Sequence, residues 1–145
     1  VTNWPPPAFS PDTGLFYVPE HNGFNMLYLT DPDPRGSMGL GGKSVSGVGS
    51  AGDFLTAIDY RTGRIAWRKQ ISGGGVGAGL LATAGGLLFA GDGSGNLMGL
   101  DSRDGKPLWH TRIGNASNAP QTYLVDGRQH LLIAVGDTLY AFTLY

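Results

Sequence analysis

The glycine run Gly73-Gly-Gly-Val-Gly-Ala-Gly79 has the composition of a loop that wraps a dinucleotide phosphate. That chemistry needs a helix N-terminus directly after the loop. Residues 80–89 read as strand instead, so the phosphate site is missing. Asp92, Ser94 and Asn96 set oxygen side chains at alternate positions, as a Ca²⁺ loop does, but the required Gly and distal Glu are out of register. A polar β-turn accounts for them better. Asp31, Asp33 and Gly36 fail similarly, with Gly42 where the closing Glu should stand. His21, His110 and His130 lie far apart without paired ligand spacing and read as solvated or strand-packed side chains. No Gly-x-Ser-x-Gly elbow presents a serine nucleophile. Asn115-Ala-Ser117 matches a glycosylation pattern that arises readily by chance. No catalytic residue and no metal ligand is assigned from these residue types.

The elements that would carry a site are β in texture. Gly accounts for 25 of the 145 residues and Pro for 9, while charged residues make up 14%, a balance that favours turns over long solvated helices. A chain of this size buries roughly 68–70% of its unfolded surface, enough for a core. The formal charge is −1 and the ten Lys and Arg are scattered, which leaves no footprint for nucleic acid or an anionic membrane. Cys is absent, so disulfides and thiolate metal sites are excluded. No apolar stretch approaches the roughly 20 residues of a membrane-spanning helix. Residues 1–7 lack the pattern of a signal peptide and the chain has no initiator Met, so it reads as a fragment or a processed piece.

A period is present. Residues 54–67 realign on residues 96–109 without gaps at a shift of 42, pairing Leu55 with Leu97, Asp59 with Asp101, Gly63 with Gly105 and Trp67 with Trp109. One further step sets Leu139 on Leu97 and Ala141 on Gly99. A spacing in the low forties is that of a four-stranded propeller blade. Strands are expected at residues 7–10, 15–18, 54–59 and 65–71, then at 80–84, 87–90, 97–101 and 108–113, and finally at 119–124, 129–135 and 138–143. The expected fold is all-β: a partial β-propeller of about three four-stranded antiparallel blades, the last incomplete. The blades are expected at residues 1–72, 73–114 and 115–145. An insertion at about 20–52, rich in Gly, Pro and Ser and without an apolar period, is expected to be a long loop of the functional or mobile kind.

The repeated residues have mechanical reasons. Asp59 and Asp101 can accept backbone N–H groups beyond them, and Gly63 and Gly105 permit the positive φ of a tight hairpin. The Trp four residues after each Gly can cover the neighbouring blade where the facing residue is small, the role expected of Ala57, Gly99 and Ala141. Three incomplete blades would leave two open sheet faces and unpaired edges, which predicts poor solubility or self-association.

Ala57-x-Asp59-x-x-Thr62-Gly63-Arg64-x-x-Trp67 resembles the tryptophan-docking motif of the pyrroloquinoline quinone (PQQ) dehydrogenases, with Arg64 where Lys is usual. A looser second copy keeps Lys106 and Trp109. Asn3-Trp4-Pro5-Pro6, Ser10-Pro-Asp-Thr-Gly-Leu-Phe-Tyr-Val-Pro19, Leu81-Ala-Thr-Ala-Gly-Gly-Leu-Leu-Phe89 and Thr122-Tyr-Leu-Val-Asp-Gly-Arg-Gln-His130 resemble, in order, the C-terminal part of the methanol and ethanol dehydrogenase type of quinoprotein. The likeness covers nearly the whole chain.

This resemblance implies an eight-bladed ring with PQQ and a Ca²⁺ or lanthanide ion on its axis, the metal ligands lying in blades outside this chain. It implies oxidation of an alcohol or sugar in the periplasm, with electrons passed to a cytochrome c or a membrane quinone. It carries Asn3 and Trp4 over as cofactor-binding residues: an amide can hydrogen-bond a quinone oxygen or carboxylate, and an indole can pack on the cofactor plane. Two departures stand out. Gly77 and Ala78 replace a Trp that methanol dehydrogenases place before the Ala-Thr-Ala-Gly strand, and residues 135–139 turn directly where those enzymes have a Gly-Trp loop. A shorter, more open variant is therefore expected, inactive as these 145 residues alone. The rival expectation is a non-enzymatic propeller of PQQ-like repeats acting as a scaffold for protein assembly, since blades are common to both.

Overall fold

The computed structural model describes residues 5–31 and 42–143. Eleven strands and no helix are found among them: β1 Ala8–Ser10, β2 Leu15–Tyr28, β3 Lys43–Asp59, β4 Ile65–Ile71, β5 Leu81–Ala82, β6 Leu87–Gly91, β7 Asn96–Asp101, β8 Pro107–Arg112, β9 Gln121–Val125, β10 Arg128–Val135 and β11 Thr138–Thr143. They form three antiparallel sheets in the orders β1-β2-β3-β4, β5-β6-β7-β8 and β9-β10-β11. The third sheet has three strands and leaves β11 as an edge where the first two sheets carry β4 and β8.

The hairpin chemistry follows the repeat. Asp59 accepts the N–H groups of Arg61 and Thr62, each at 2.9 Å, and Gly63 turns back at φ 68° to donate to the Asp59 carbonyl. Asp101 accepts from Arg103 N at 2.9 Å, and Gly105, at φ 72°, closes the same turn. These turns fix the register that sets Ala57 opposite Trp67 and Gly99 opposite Trp109. The small residue facing each ring is thus a cross-strand partner in the ring's own sheet.

Two cores join the three sheets. Leu15, Tyr17, Leu55 and Ala57 of the first sheet pack with Leu88, Ala90 and Leu100 of the second and with Leu80 just before β5. Leu97 of the second sheet and Ala78 in the segment before β5 pack with Leu131 and Ile133 of the third. Each large side chain so buried contributes on the order of 1.5–3 kcal/mol, which makes the two cores the main reason these sheets stay stacked.

The expected loop at 20–52 is corrected. Residues 22–52 form a compact unit of their own, in which the distal parts of β2 and β3 make a ribbon. Within it Gly47 N–H donates to Asn25 Oδ1 at 3.3 Å and Gly42 N–H to Thr30 Oγ1 at 2.9 Å. The ribbon's side chains are almost all exposed, so its strands rest on backbone pairing, and no buried face imposes the alternation that would mark them in sequence.

Candidate functional site

Asn3 and Trp4 lie outside the described residues, as do Asp33 and Gly36. The segment that follows Asn3 and Trp4 is described. Pro6 accepts a hydrogen bond from Leu80 N at 3.0 Å. A Cβ built on Gly79 would come within 2.6 Å of Pro6 Cγ and 2.7 Å of Ala119 Cβ. Pairing registers place Pro6, Gly79 and Ala119 at one equivalent position: two residues before Ala8 opposite Tyr17, before Leu81 opposite Phe89 and before Gln121 opposite Leu132. The approaches to the three first strands therefore converge.

The glycine run shares this end of the sheets and is held by close backbone contact. Val76 bridges Asp92, and Gly93 N–H donates to Gly75 O at 2.8 Å. A Cβ on Gly73 would fall 1.9 Å from Ser94 Oγ, so only glycine admits the neighbouring turn. The Asp92 carboxylate is spent on that turn, accepting from Ser94 N at 3.0 Å, Asn96 N at 2.8 Å and Asn96 Nδ2 at 2.9 Å.

A polar cluster adjoins the run. His21 Nδ1 bonds Asp53 Oδ1, and a Cβ on Gly75 would lie 2.9 Å from Asp53 Cγ. Glu20 accepts Thr56 Oγ1 at 2.7 Å and holds Arg68 through both oxygens, at 3.1 and 2.6 Å. The Arg68 guanidinium lies 3.7 Å over the Phe54 ring. Local spacing does not disclose the His21 pair, because its partner stands 32 residues away in sequence. His130 stacks on Tyr123 with ring centroids 5.1 Å apart, as a strand-packed residue. Among the described residues no three His, Asp or Glu side chains gather to hold a metal ion, so no metal site is built from them.

Away from this end, Trp67 reaches the second sheet. Its Nε1 donates to Ser102 O at 3.1 Å, and a Cβ on Gly105 would lie 2.9 Å from the ring. Trp109 meets Phe142 of the third sheet edge to face at 5.6 Å.

Residues 38–144 match the family model described as outer membrane protein assembly factor BamB, of the PQQ-repeat type. Among curated relatives, a quinoprotein ethanol dehydrogenase of Pseudomonas aeruginosa is 37% identical over 92% of this chain and 22% of its own length. A 1-butanol dehydrogenase (cytochrome c) of Thauera butanivorans is 34% identical over 93% of this chain and 21% of its own length. The chain thus spans about a fifth of these relatives. In structure it is similar to a quinohemoprotein alcohol dehydrogenase of Pseudomonas putida HK5, with a TM-score of 0.79 and 27% identity over 95% of this chain and 22% of that one. A europium-containing methanol dehydrogenase gives a TM-score of 0.75 with 29% identity over 88% of this chain and 23% of that one. BamB from Moraxella catarrhalis, at 24% identity and a TM-score of 0.51 over 69% of this chain and 29% of that one, shares the fold alone.

Proposed function

Because this chain belongs to the PQQ quinoprotein alcohol dehydrogenase family, we propose that it forms the C-terminal, cofactor-facing part of a dehydrogenase that oxidises a small alcohol. The convergence of Pro6, Gly79 and Ala119 carries the reading. Three equivalent residues from three successive sheets meet only near the axis of a propeller, and Asn3 and Trp4 stand immediately upstream of one of them. In this reading the Asn3 amide hydrogen-bonds a quinone oxygen or carboxylate and the Trp4 indole packs against the cofactor plane. Bound PQQ supplies a quinone that accepts the two electrons removed from the alcohol. The residues of this chain bind and orient the cofactor and exclude water from its edge; the acid–base group and the metal ligands come from other blades. The metal is Ca²⁺ or a lanthanide, a choice to which the structurally similar europium-containing methanol dehydrogenase lends support.

The names of the relatives favour an alcohol over a sugar, and both a cytochrome c and a quinone appear among their acceptors. The acceptor is proposed as one of these two and the compartment as the periplasm. Trp67 against Gly105 supports its reading as a tryptophan-docking residue. In the whole protein, further blades cover the outer faces of the first and third sheets, and a strand from elsewhere pairs with β11. The 145 residues alone do not turn over alcohol. The scaffold alternative draws on the BamB description, but that likeness in structure is one of fold only.

The test is cofactor retention. The complete parent protein is stripped of PQQ, reloaded, desalted and measured by absorbance. Asn3→Ala and Trp4→Ala are expected to lower retention at least tenfold without changing the unfolding midpoint. Retention equal to that of the unaltered protein in both variants would remove these residues from the cofactor site.

A further inference from the structure

Three consecutive residues of the glycine run, Gly73, Gly74 and Gly75, stand at φ 75°, 93° and 81°. Glycine has the widest backbone freedom of any residue, so the path of such a stretch is set by what flanks it. The second sheet supplies one flank. Gly93 N–H donates to Gly75 O at 2.8 Å, Gly77 N–H donates to Gly91 O at 3.2 Å, and Ser94 fills the space beside Gly73. The first sheet supplies the other flank through Asp53. Its place on β3, paired with Ile71, puts it on the face that Leu55 and Ala57 turn toward the second sheet. A Cβ on Gly75 would lie 2.9 Å from Asp53 Cγ and 3.0 Å from its Cβ. His21, on β2, bonds Asp53 Oδ1 through Nδ1, and the Asp53 side chain is only 15% exposed.

An apolar side chain would fill this space at less cost, because a covered carboxylate gives up its hydration. What the carboxyl adds is direction: the bond to His21 aims it at the run. From Gly75 the run passes through Val76, bridged to Asp92, to Gly79, which has no room for a Cβ beside Pro6 and Ala119. Leu80 N–H then donates to Pro6 O at 3.0 Å, and Pro6 follows Trp4 by two residues. We propose that Asp53, aimed by His21, is a positioning residue: it holds the glycine run at the depth that sets Pro6, and through Pro6 the approach of Asn3 and Trp4 to the cofactor. The inference rests on the cofactor-facing reading of this end of the sheets. Asp53 acts without touching the cofactor. A small displacement at Gly75 reaches Pro6 because residues 77–79 are packed against Ala116, Ala119 and Pro6 on the way.

Two readouts on the complete parent protein test it: amide hydrogen exchange by mass spectrometry without PQQ, and PQQ retention after loading. Asp53→Ala is expected to speed exchange in the segment 73–80, where the Gly77 and Leu80 amides are bonded, and to leave β7 and β10 protected. Its PQQ retention is expected to fall roughly five- to tenfold, the scale of a sub-ångström misplacement. Asp53→Asn keeps the shape and the bond to His21, so it is expected to restore both readouts. If Asp53→Ala does not fold, His21→Ala replaces it; this change removes the bond that aims the carboxyl and is expected to shift both readouts in the same direction, by less. Unchanged exchange in the segment 73–80 would overturn the proposal. So would faster exchange spread through the whole first sheet, which is a merely structural role, or faster exchange with unaltered retention. An Asn variant that behaves as the Ala variant would assign Asp53 a role through charge and overturn positioning. Asn3→Ala separates the two readings: if it lowers retention while Asp53→Ala does not, this inference alone falls, and if neither lowers it the cofactor-facing reading falls as well.

Discussion

Pro6 and Gly79 hold the same position in the approaches to successive first strands, and they touch: Leu80 N–H donates to Pro6 O at 3.0 Å, and Gly79 has no room for a Cβ beside Pro6 Cγ. Gly79→Ala is therefore expected to destabilise the fold by about 1–3 kcal/mol through overpacking against a rigid pyrrolidine ring and Ala119. Gly85→Ala, where the nearest atom would be 3.8 Å away, is the matched control and is expected to be near neutral. Urea unfolding midpoints decide between them.

Gly63 and Gly105 have nearly the same backbone, φ 68° and 72°, in different surroundings. Gly63→Ala is expected to cost roughly 1–2 kcal/mol for an L-residue in the left-handed region alone. Gly105→Ala meets that penalty and also the Trp67 ring at 2.9 Å, adding about 1–3 kcal/mol of overpacking. Trp67→Ala should erase most of the difference between the two glycine substitutions, which a double-mutant cycle measures.

The Ser102 carbonyl accepts two hydrogen bonds from the first sheet, a buried one from Tyr17 Oη at 3.0 Å and a part-buried one from Trp67 Nε1 at 3.1 Å. Tyr17→Phe is expected to cost about 1 kcal/mol, because Trp67 still satisfies the acceptor. Combined with Trp67→Phe the loss should exceed the sum of the single losses, since a buried carbonyl left without these donors costs about 1–3 kcal/mol. Chemical denaturation of the single and double variants checks the non-additivity.

Hydrogen bonding holds the Asp59 carboxyl below the ordinary carboxylate range, first through the backbone N–H of Thr62 and then that of Arg61, with the Arg61 charge assisting; partial desolvation opposes them. A folded-state pKa below the unfolded value of about 3.9 gives a contribution that is present above that value and lost as pH falls through the folded one. The unaltered chain should thus lose stability more steeply than Asp59→Asn on acidification below about pH 4. Parallel slopes in thermal melts across that range would contradict this.

Much of the fold was legible because a blade repeats its constraints. The Asp and Gly of each outer turn and the alternation around Leu55 and Leu97 had to recur, and β4 spans the residues the pattern assigned to it. The ribbon was not legible, because Phe24, Met26 and Leu27 are exposed and no core disciplines their order. The His21–Asp53 pair was hidden for a related reason: side chains brought together by cross-strand pairing leave no local spacing to read. Asn3 and Trp4 are legible only through resemblance, and the structure describes the chain from the residue that follows them, with Pro6 against Gly79.

The central claim is best tested by alcohol-dependent dye reduction with the complete parent protein, loaded with PQQ and either Ca²⁺ or a lanthanide. Turnover of a primary alcohol that falls at least tenfold in Asn3→Ala, with PQQ-free protein inactive, is the predicted result. A folded, loaded protein that oxidises no alcohol, or an Asn3→Ala variant with unchanged turnover, would contradict it.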